Sequence, residues 1–188
     1  KVFREDTLHF TSQGNRVWDG DTIRLKGLYN EVLAFQVILT ADSLGASQVD
    51  ISMDPPSRAL TGQEIGGPGA IEYGPDGYFE VFSEHYIHVV NPTSPNWFYG
   101  SAASAPARMT GWIPDALITP DAKAGKGGLP LDISAGLNQG FWFDLYLPRD
   151  SVSHPSGTYY STVRVRAGGW QVESIPVKII LLPYFLPD

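Results

Sequence analysis

Phe141-Trp-Phe-Asp-Leu-Tyr-Leu147 is the stretch whose reading decides the fold. Phe141, Phe143, Leu145 and Leu147 share one face of an extended chain, Asp144 lies on the other, and Pro148 ends the run. Side chains alternate across a β-strand, so this period of two marks a strand with one face in a core. Downstream, Pro155-Ser-Gly-Thr158 turns the chain, and Tyr159 to Arg166 alternates again, Val163 and Val165 against Thr162, Arg164 and Arg166. Gly168-Gly169 makes a second tight turn, and Ile175, Val177, Ile179 and Leu181 mark a third strand expected to stop before Pro183. Three alternating runs separated by Gly and Pro are a hairpin signature.

Upstream, Val2 to Phe10 reads as a weak first strand, and Trp18-Asp-Gly-Asp21 as a turn leading into a strand from Thr22 to Leu28. In Glu31 to Thr40, Leu33, Phe35, Val37 and Leu39 alternate with Ala34, Gln36 and Ile38. Both faces are largely apolar, which predicts a central strand covered on both sides. Val49, Ile51 and Met53 form a short strand ended by Pro55-Pro56. Gly66-Gly-Pro-Gly69 and Gly74-Pro-Asp-Gly77 are turns, and Tyr78 to Val90 is a long strand. From Asn91 to Gly140 periodicity fades, and the stretch is expected to be a long excursion crossing one end of the domain, with at most a helical turn near Asp115 to Ile118. The expected architecture is an all-β antiparallel sandwich, Ig-like or jelly-roll-like, of about eight or nine strands.

Bulk composition narrows the function. The 188 residues suit one sandwich domain, and 43% hydrophobic with 18% charged residues supplies a core. A net charge of −7, with the 13 Lys and Arg scattered along the chain, argues against nucleic acid and anionic membrane surfaces. The absence of cysteine removes thiolate catalysis, disulfides and zinc–thiolate sites. No apolar run reaches the length of a membrane-spanning helix. The chain starts at Lys1 and ends on apolar Tyr184, Phe185 and Leu186, so it is expected to be a piece of a longer protein with those side chains in an inter-domain contact.

Candidates for chemistry are few. Asp19 and Asp21 flank Gly20 in a turn that could offer oxygens to Ca²⁺, but the twelve-residue loop with a closing Glu is missing, and a solvated turn is the expectation. His85 and His88 are an odd number of residues apart on a strand, point to opposite faces and cannot share one metal; His85, in phase with Val81, Ile87 and Val89, reads as a core histidine. No nucleophile elbow and no phosphate-binding loop is present. Aromatic residues are the stronger signal. Trp97, Tyr99 and Trp112 in the long excursion could stack on sugar rings or plug an interface, whereas Trp142 reads as a contact to a second sheet. No metal and no cofactor is expected.

Three segments together resemble a known family. Asn30-Glu-Val-Leu-Ala-Phe-Gln36 matches an NE-x-x-x-FQ strand opening, and Trp112-Ile-Pro-Asp-Ala-Leu117 a W/Y-x-P-D-x-L loop. Asn138-Gln-Gly-Phe-Trp142 followed by Pro155-Ser-Gly-Thr-Tyr159 matches the closing N-Q-x-x-W and P-x-G-x-Y run. In this order they resemble the N-terminal β-sandwich domain of glycoside hydrolase family 123 and the related domain-of-unknown-function family 4091. The resemblance implies a sandwich that precedes a (β/α)8 barrel. In such proteins the barrel carries the catalytic carboxylates, and family 123 acts on N-acetylgalactosamine-containing glycans by a substrate-assisted mechanism. No catalytic residue is carried over to this chain. The residues of the motifs take fold-building or inter-domain roles: Asn30 and Glu31 at a strand start, Gln36 and Asn138 tying the long excursion to the sheet, Asp115 capping a helical turn, and Tyr184 and Phe185 at the domain contact.

The leading expectation is a non-catalytic accessory domain packed on a downstream barrel of the same polypeptide, in an extracellular or periplasmic bacterial protein. The alternatives are a carbohydrate-binding module using Trp97, Tyr99 and Trp112, and an Ig-like structural or adhesive domain.

Overall fold

A computed structural model describes residues 4–6, 15–65, 78–91, 110–123 and 125–187. Among them lie nine strands and no helix. In chain order they are β1 (Ile23–Tyr29), β2 (Glu31–Thr40), β3 (Ala46–Met53), β4 (Phe79–Val89), β5 (Gly111–Ile118), β6 (Leu131–Ile133), β7 (Asn138–Leu147), β8 (Gly157–Ala167) and β9 (Trp170–Phe185). They form a β-sandwich: one sheet of five in the order β1-β9-β8-β3-β6 and one of four in the order β2-β7-β4-β5. Pairing is antiparallel except for β1 against β9.

The alternation that marked the strands builds the core. Leu33, Phe35 and Val37, Phe79 and Val81, and Phe141, Phe143, Leu145 and Leu147 face inward from the four-stranded sheet. They meet Val49, Ile51, Tyr159, Val163, Val165, Val177, Ile179 and Leu181 of the other sheet. Phe35 and Phe143 are cross-strand partners whose rings stack 4.7 Å apart, and Phe79 lies 5.7 Å from the same ring. Such pairs add roughly 0.5–1.5 kcal/mol beyond the apolar area they bury.

Three junctions show why the chain turns where it does. Gly168 and Gly169 both adopt positive φ (56° and 83°) between the Ala167–Trp170 rung, the backbone of a tight two-residue hairpin. Gly157, at φ 146°, supplies the turn conformation expected after Pro155. Asn30, at φ 65°, is the single residue between β1 and β2, and it carries the chain from one sheet to the other. Asn is the side chain that most readily tolerates this left-handed conformation.

Several expectations need correction. β2 is an edge strand, not a central one; Val32 and Gln36 on its outer face stay exposed. Burial of that face depends on what packs over it, which periodicity does not reveal. The segment 111–118 is strand rather than loop or helical turn. Its alternation is masked because Asp115 is an extra residue: His85 pairs with Ala116 but Tyr86 pairs with Pro114. Pro114 is tolerated because β5 is an edge. β9 continues through Pro183, which falls at the register shift between the Gly27–Leu181 and Tyr29–Phe185 rungs. The Val2–Phe10 strand and the turns within 66–77 fall wholly or largely outside the described residues.

Candidate functional site

The outer face of the four-stranded sheet carries a surface cleft of about 300 Å³. Its residues come from four strands, aligned by register. Gln36 of β2 is the cross-strand partner of Trp142 of β7, and Trp142 is the partner of Phe82 of β4. Two residues further along β4, Glu84 pairs with Leu117 of β5. Gln36, Glu84 and Trp142 line the cleft on one side, and β5 residues Pro114 to Leu117 on the other.

The side chains in this cleft hold one another in place. Gln36 Nε2 donates to Glu84 Oε1 at 2.6 Å. Trp142 Nε1 donates to Asp144 Oδ1 at 2.9 Å, which fixes the half-buried indole against the sheet. Gln139 Nε2 donates to the Glu84 carbonyl at 2.8 Å, and the Gly140 N–H donates to the Tyr86 hydroxyl at 3.1 Å. Glu84 is only 7% exposed, and it lies over Gly140 of β7; a Cβ there would overlap its carboxylate. The glycine is therefore a condition for the carboxylate's position.

Electrostatically the face is acidic. Burial, and then the nearby Glu84 charge, push the Tyr86 phenol up to about 12. Burial, and then the Asp144 charge, raise the Glu80 carboxyl. Both are the expected responses to low dielectric and like charge.

The residues marked in the sequence fall into two groups. Gln36 and Asp115 line the cleft. Asp115 caps no helical turn; it is the bulged residue of β5. Asn138, fully buried, ties down the N-terminal segment: its backbone N–H donates to the Arg4 carbonyl (2.8 Å) and its Nδ2 to the Asp6 carbonyl (2.8 Å), while residues 92–109 of the long excursion lie outside the described residues. Trp112 stacks on His88 at 4.8 Å and lies 5.6 Å from the Arg4 guanidinium, so its ring is already engaged. Trp97 and Tyr99 lie outside the described residues.

The second group surrounds the end of β9. Asn30 Nδ2 donates to the Leu186 carbonyl (3.3 Å), Leu186 N–H donates to the Tyr29 carbonyl (2.9 Å), and Phe185 stacks on Tyr29 at 4.7 Å. Glu31 Oε2 accepts from the Leu28 N–H at 2.6 Å, closing the β1–β2 corner. Tyr184 and Phe185 remain 64% and 49% exposed on this well-tied strand end.

The geometry bears on three further readings. Asp19 Oδ1 accepts from the N–H groups of Thr22 (2.8 Å) and Asp21 (3.1 Å), while Oδ2 pairs with Arg24. The Thr22 bond first and the Arg24 bond next lower its pKa to about 2. Among the described residues no group of three His, Asp or Glu could hold a metal. His85 is exposed, not core: β4 pairs with β7 only as far as Ser83, and beyond that burial passes to the opposite face, where Glu84 and Tyr86 lie. Trp142 lies on the outer face of its own sheet, pointing away from the second sheet among the described residues. Sequence reasoning missed Glu84. The only hint is the adjacent polar pair Ser83-Glu84 in an otherwise alternating strand.

No family model matches the sequence, and no curated protein does. Among solved structures, the chain is similar to a family 123 glycoside hydrolase from Clostridium perfringens, described in connection with glycolipid glycan hydrolysis. The TM-score is 0.62 at 14% identity, over 89% of this chain and 24% of that one. At this identity the likeness establishes the sandwich fold, and the chain spans about a quarter of the length of the hydrolase it matches.

Proposed function

We propose that this chain is a non-catalytic sandwich domain supporting a separate glycan-hydrolysing domain, a (β/α)8 barrel, of the same polypeptide. The observation that carries this reading is the asymmetry of the structural match: nearly all of this chain, 89%, against 24% of a glycoside hydrolase. The motif order that resembles the family 123 sandwich supports it independently. Side-chain chemistry agrees. The Tyr86 phenol, beside the cleft, is moved further from neutral pH, the reverse of what a working acid or base needs. Tyr184 and Phe185, exposed on a hydrogen-bonded strand end, form the ledge on which the barrel packs. An extracellular or periplasmic location belongs to the same proposal.

Two experiments test it. The isolated chain should release no nitrophenol from 4-nitrophenyl N-acetyl-β-D-galactosaminide above the buffer rate. Turnover that survives purification and disappears in Glu84→Gln would refute the non-catalytic assignment. In the full-length polypeptide, Tyr184→Ser with Phe185→Ser should split a single thermal transition into two; an unchanged melt would remove the ledge from the account.

A further inference from the structure

We infer that the cleft between Trp142, Gln36, Glu84 and the bulge of β5 is a binding site for a neutral, hydroxyl-rich ligand, a single sugar ring or the end of a glycan. This inference stands on the cleft itself and holds whether or not the chain supports a hydrolase. It places ligand binding on a sheet face, on residues other than the aromatics Trp97, Tyr99 and Trp112 that the sequence brought forward.

Four observations select the ligand. The cleft, about 300 Å³, is at the lower end of the range of small-ligand sites, roughly 300–1,000 Å³. Trp142, the large aromatic among the described residues of its lining, is half-buried and held by its bond to Asp144, so a flat apolar surface is presented in a fixed orientation. A sugar ring offers C–H groups to such a surface and hydroxyls to the groups around it. Next to the indole stands exposed Gln36, whose amide is oriented by its 2.6 Å bond to the buried Glu84 carboxylate, so that its carbonyl and second N–H point in set directions. Across the cleft, Asp115 is exposed on the bulge, beside half-exposed Leu117.

The same chemistry excludes other ligands. Among the described residues no Lys, Arg or His lines the cleft, while Glu84 and Asp115 do, so an anion is repelled. A wholly apolar ligand would strip water from exposed Gln36 and Asp115 without returning hydrogen bonds. A small cation is drawn to the exposed Asp115 carboxylate but leaves the indole and Leu117 without a function, and it is the competing outcome to be tested. The fixed Trp142–Asp144 and Gln36–Glu84 bonds mean that little side-chain entropy remains to be lost on binding.

The test is calorimetric titration of the chain with N-acetylgalactosamine, galactose and glucose, and separately with ethylammonium chloride and calcium chloride. At least one sugar should bind with saturation in the millimolar range, and neither cation should bind or displace it. Trp142→Ala should weaken that sugar about tenfold or more. Asp115→Asn, on the exposed bulge and outside the core, should weaken it several-fold without altering the thermal midpoint, which keeps the test open if Trp142→Ala fails to fold. Failure of all three sugars to bind, affinity unchanged in both variants, or binding of a cation in place of the sugar would overturn the inference.

Discussion

The two outer faces of the sandwich have been built from opposite materials. On the five-stranded sheet, Arg24, Lys26, Arg164, Arg166 and Lys178 alternate with buried Ile23, Leu25, Val163, Val165, Val177 and Ile179, so five of the chain's 13 Lys and Arg point outward from one sheet. Two of these are paired with acids, Arg24 with Asp19 and Arg164 with Asp54. On the four-stranded sheet the outer face carries Glu80, Glu84 and Asp144 around Trp142 and Gln36, and it is indented. One face spends its polar groups on each other at the surface. The other buries a carboxylate beside an indole and leaves a cleft. Net charge alone, −7 for a chain with dispersed cations, reveals none of this sorting. Cross-strand register does it: Arg24 aligns with Lys178, and Gln36 with Trp142, pairs separated by more than a hundred positions in the chain.

The contrast rests on the shared core beneath both faces, and the largest effect is expected there. Phe143 is fully buried and touches aromatic rings from two neighbouring strands. Phe143→Ala should cost about 3–5 kcal/mol in urea unfolding, and both faces should be lost together. Next comes the floor of the cleft. Gly140→Ala drives a methyl into the Glu84 carboxylate, and it should destabilise by about 1–3 kcal/mol, with loss of the Gln36–Glu84 bond. An equally stable Gly140→Ala variant would mean that Glu84 is not held where the structure places it. At the corner joining the sheets, Asn30→Ala loses a left-handed residue and its bond to Leu186, with an expected cost of about 1–2 kcal/mol; Asn30→Gly, which keeps the backbone freedom, should cost less.

The surface face should respond least. Arg164 makes two-point contact with Asp54 (Nε to Oδ1 2.8 Å, Nη2 to Oδ2 2.6 Å), but both side chains are more than a third exposed. Arg164→Ala should therefore shift the urea midpoint least of these variants, and less still at high salt.

Titration separates the faces by sign. The raised Tyr86 pKa means that the folded state holds its proton longer than the unfolded chain. Stability from this group is intact below the ordinary tyrosine value and declines as pH rises toward about 12. Asp19 acts the other way: with its pKa lowered to about 2, its contribution is present above the ordinary aspartate value and is lost as pH falls toward 2. Tyr86→Phe should flatten the alkaline limb of a stability–pH curve, and Asp19→Asn the acid limb.

What could be read from sequence and what could not follow the same physical division. β2 was legible to the residue, Glu31 to Thr40, and so were the end of β7 at Pro148 and the Gly168-Gly169 hairpin, because alternation and turn chemistry are local properties. β5 was not, since Pro114 and the extra residue Asp115 interrupt the period. The edge position of β2 was not legible either, because a run such as Val32-Leu-Ala-Phe-Gln-Val37 has the same pattern whether or not a neighbour covers it. Of the cleft, Gln36 and Asp115 stood out through their motifs, whereas Glu84 and Trp142 acquire their roles only when β2, β4 and β7 are brought into register.

The measurement that tests the difference between the faces most directly is a ¹H–¹⁵N chemical-shift map of the chain titrated with N-acetylgalactosamine. Saturable shifts should appear at the Trp142 indole N–H, the Gln36 side-chain amide and the backbone N–H groups of Asp115 to Leu117. The Arg164 guanidinium N–H and the β8–β9 hairpin should stay unmoved. Shifts centred on the five-stranded sheet, or none at any residue lining the cleft, would contradict the account.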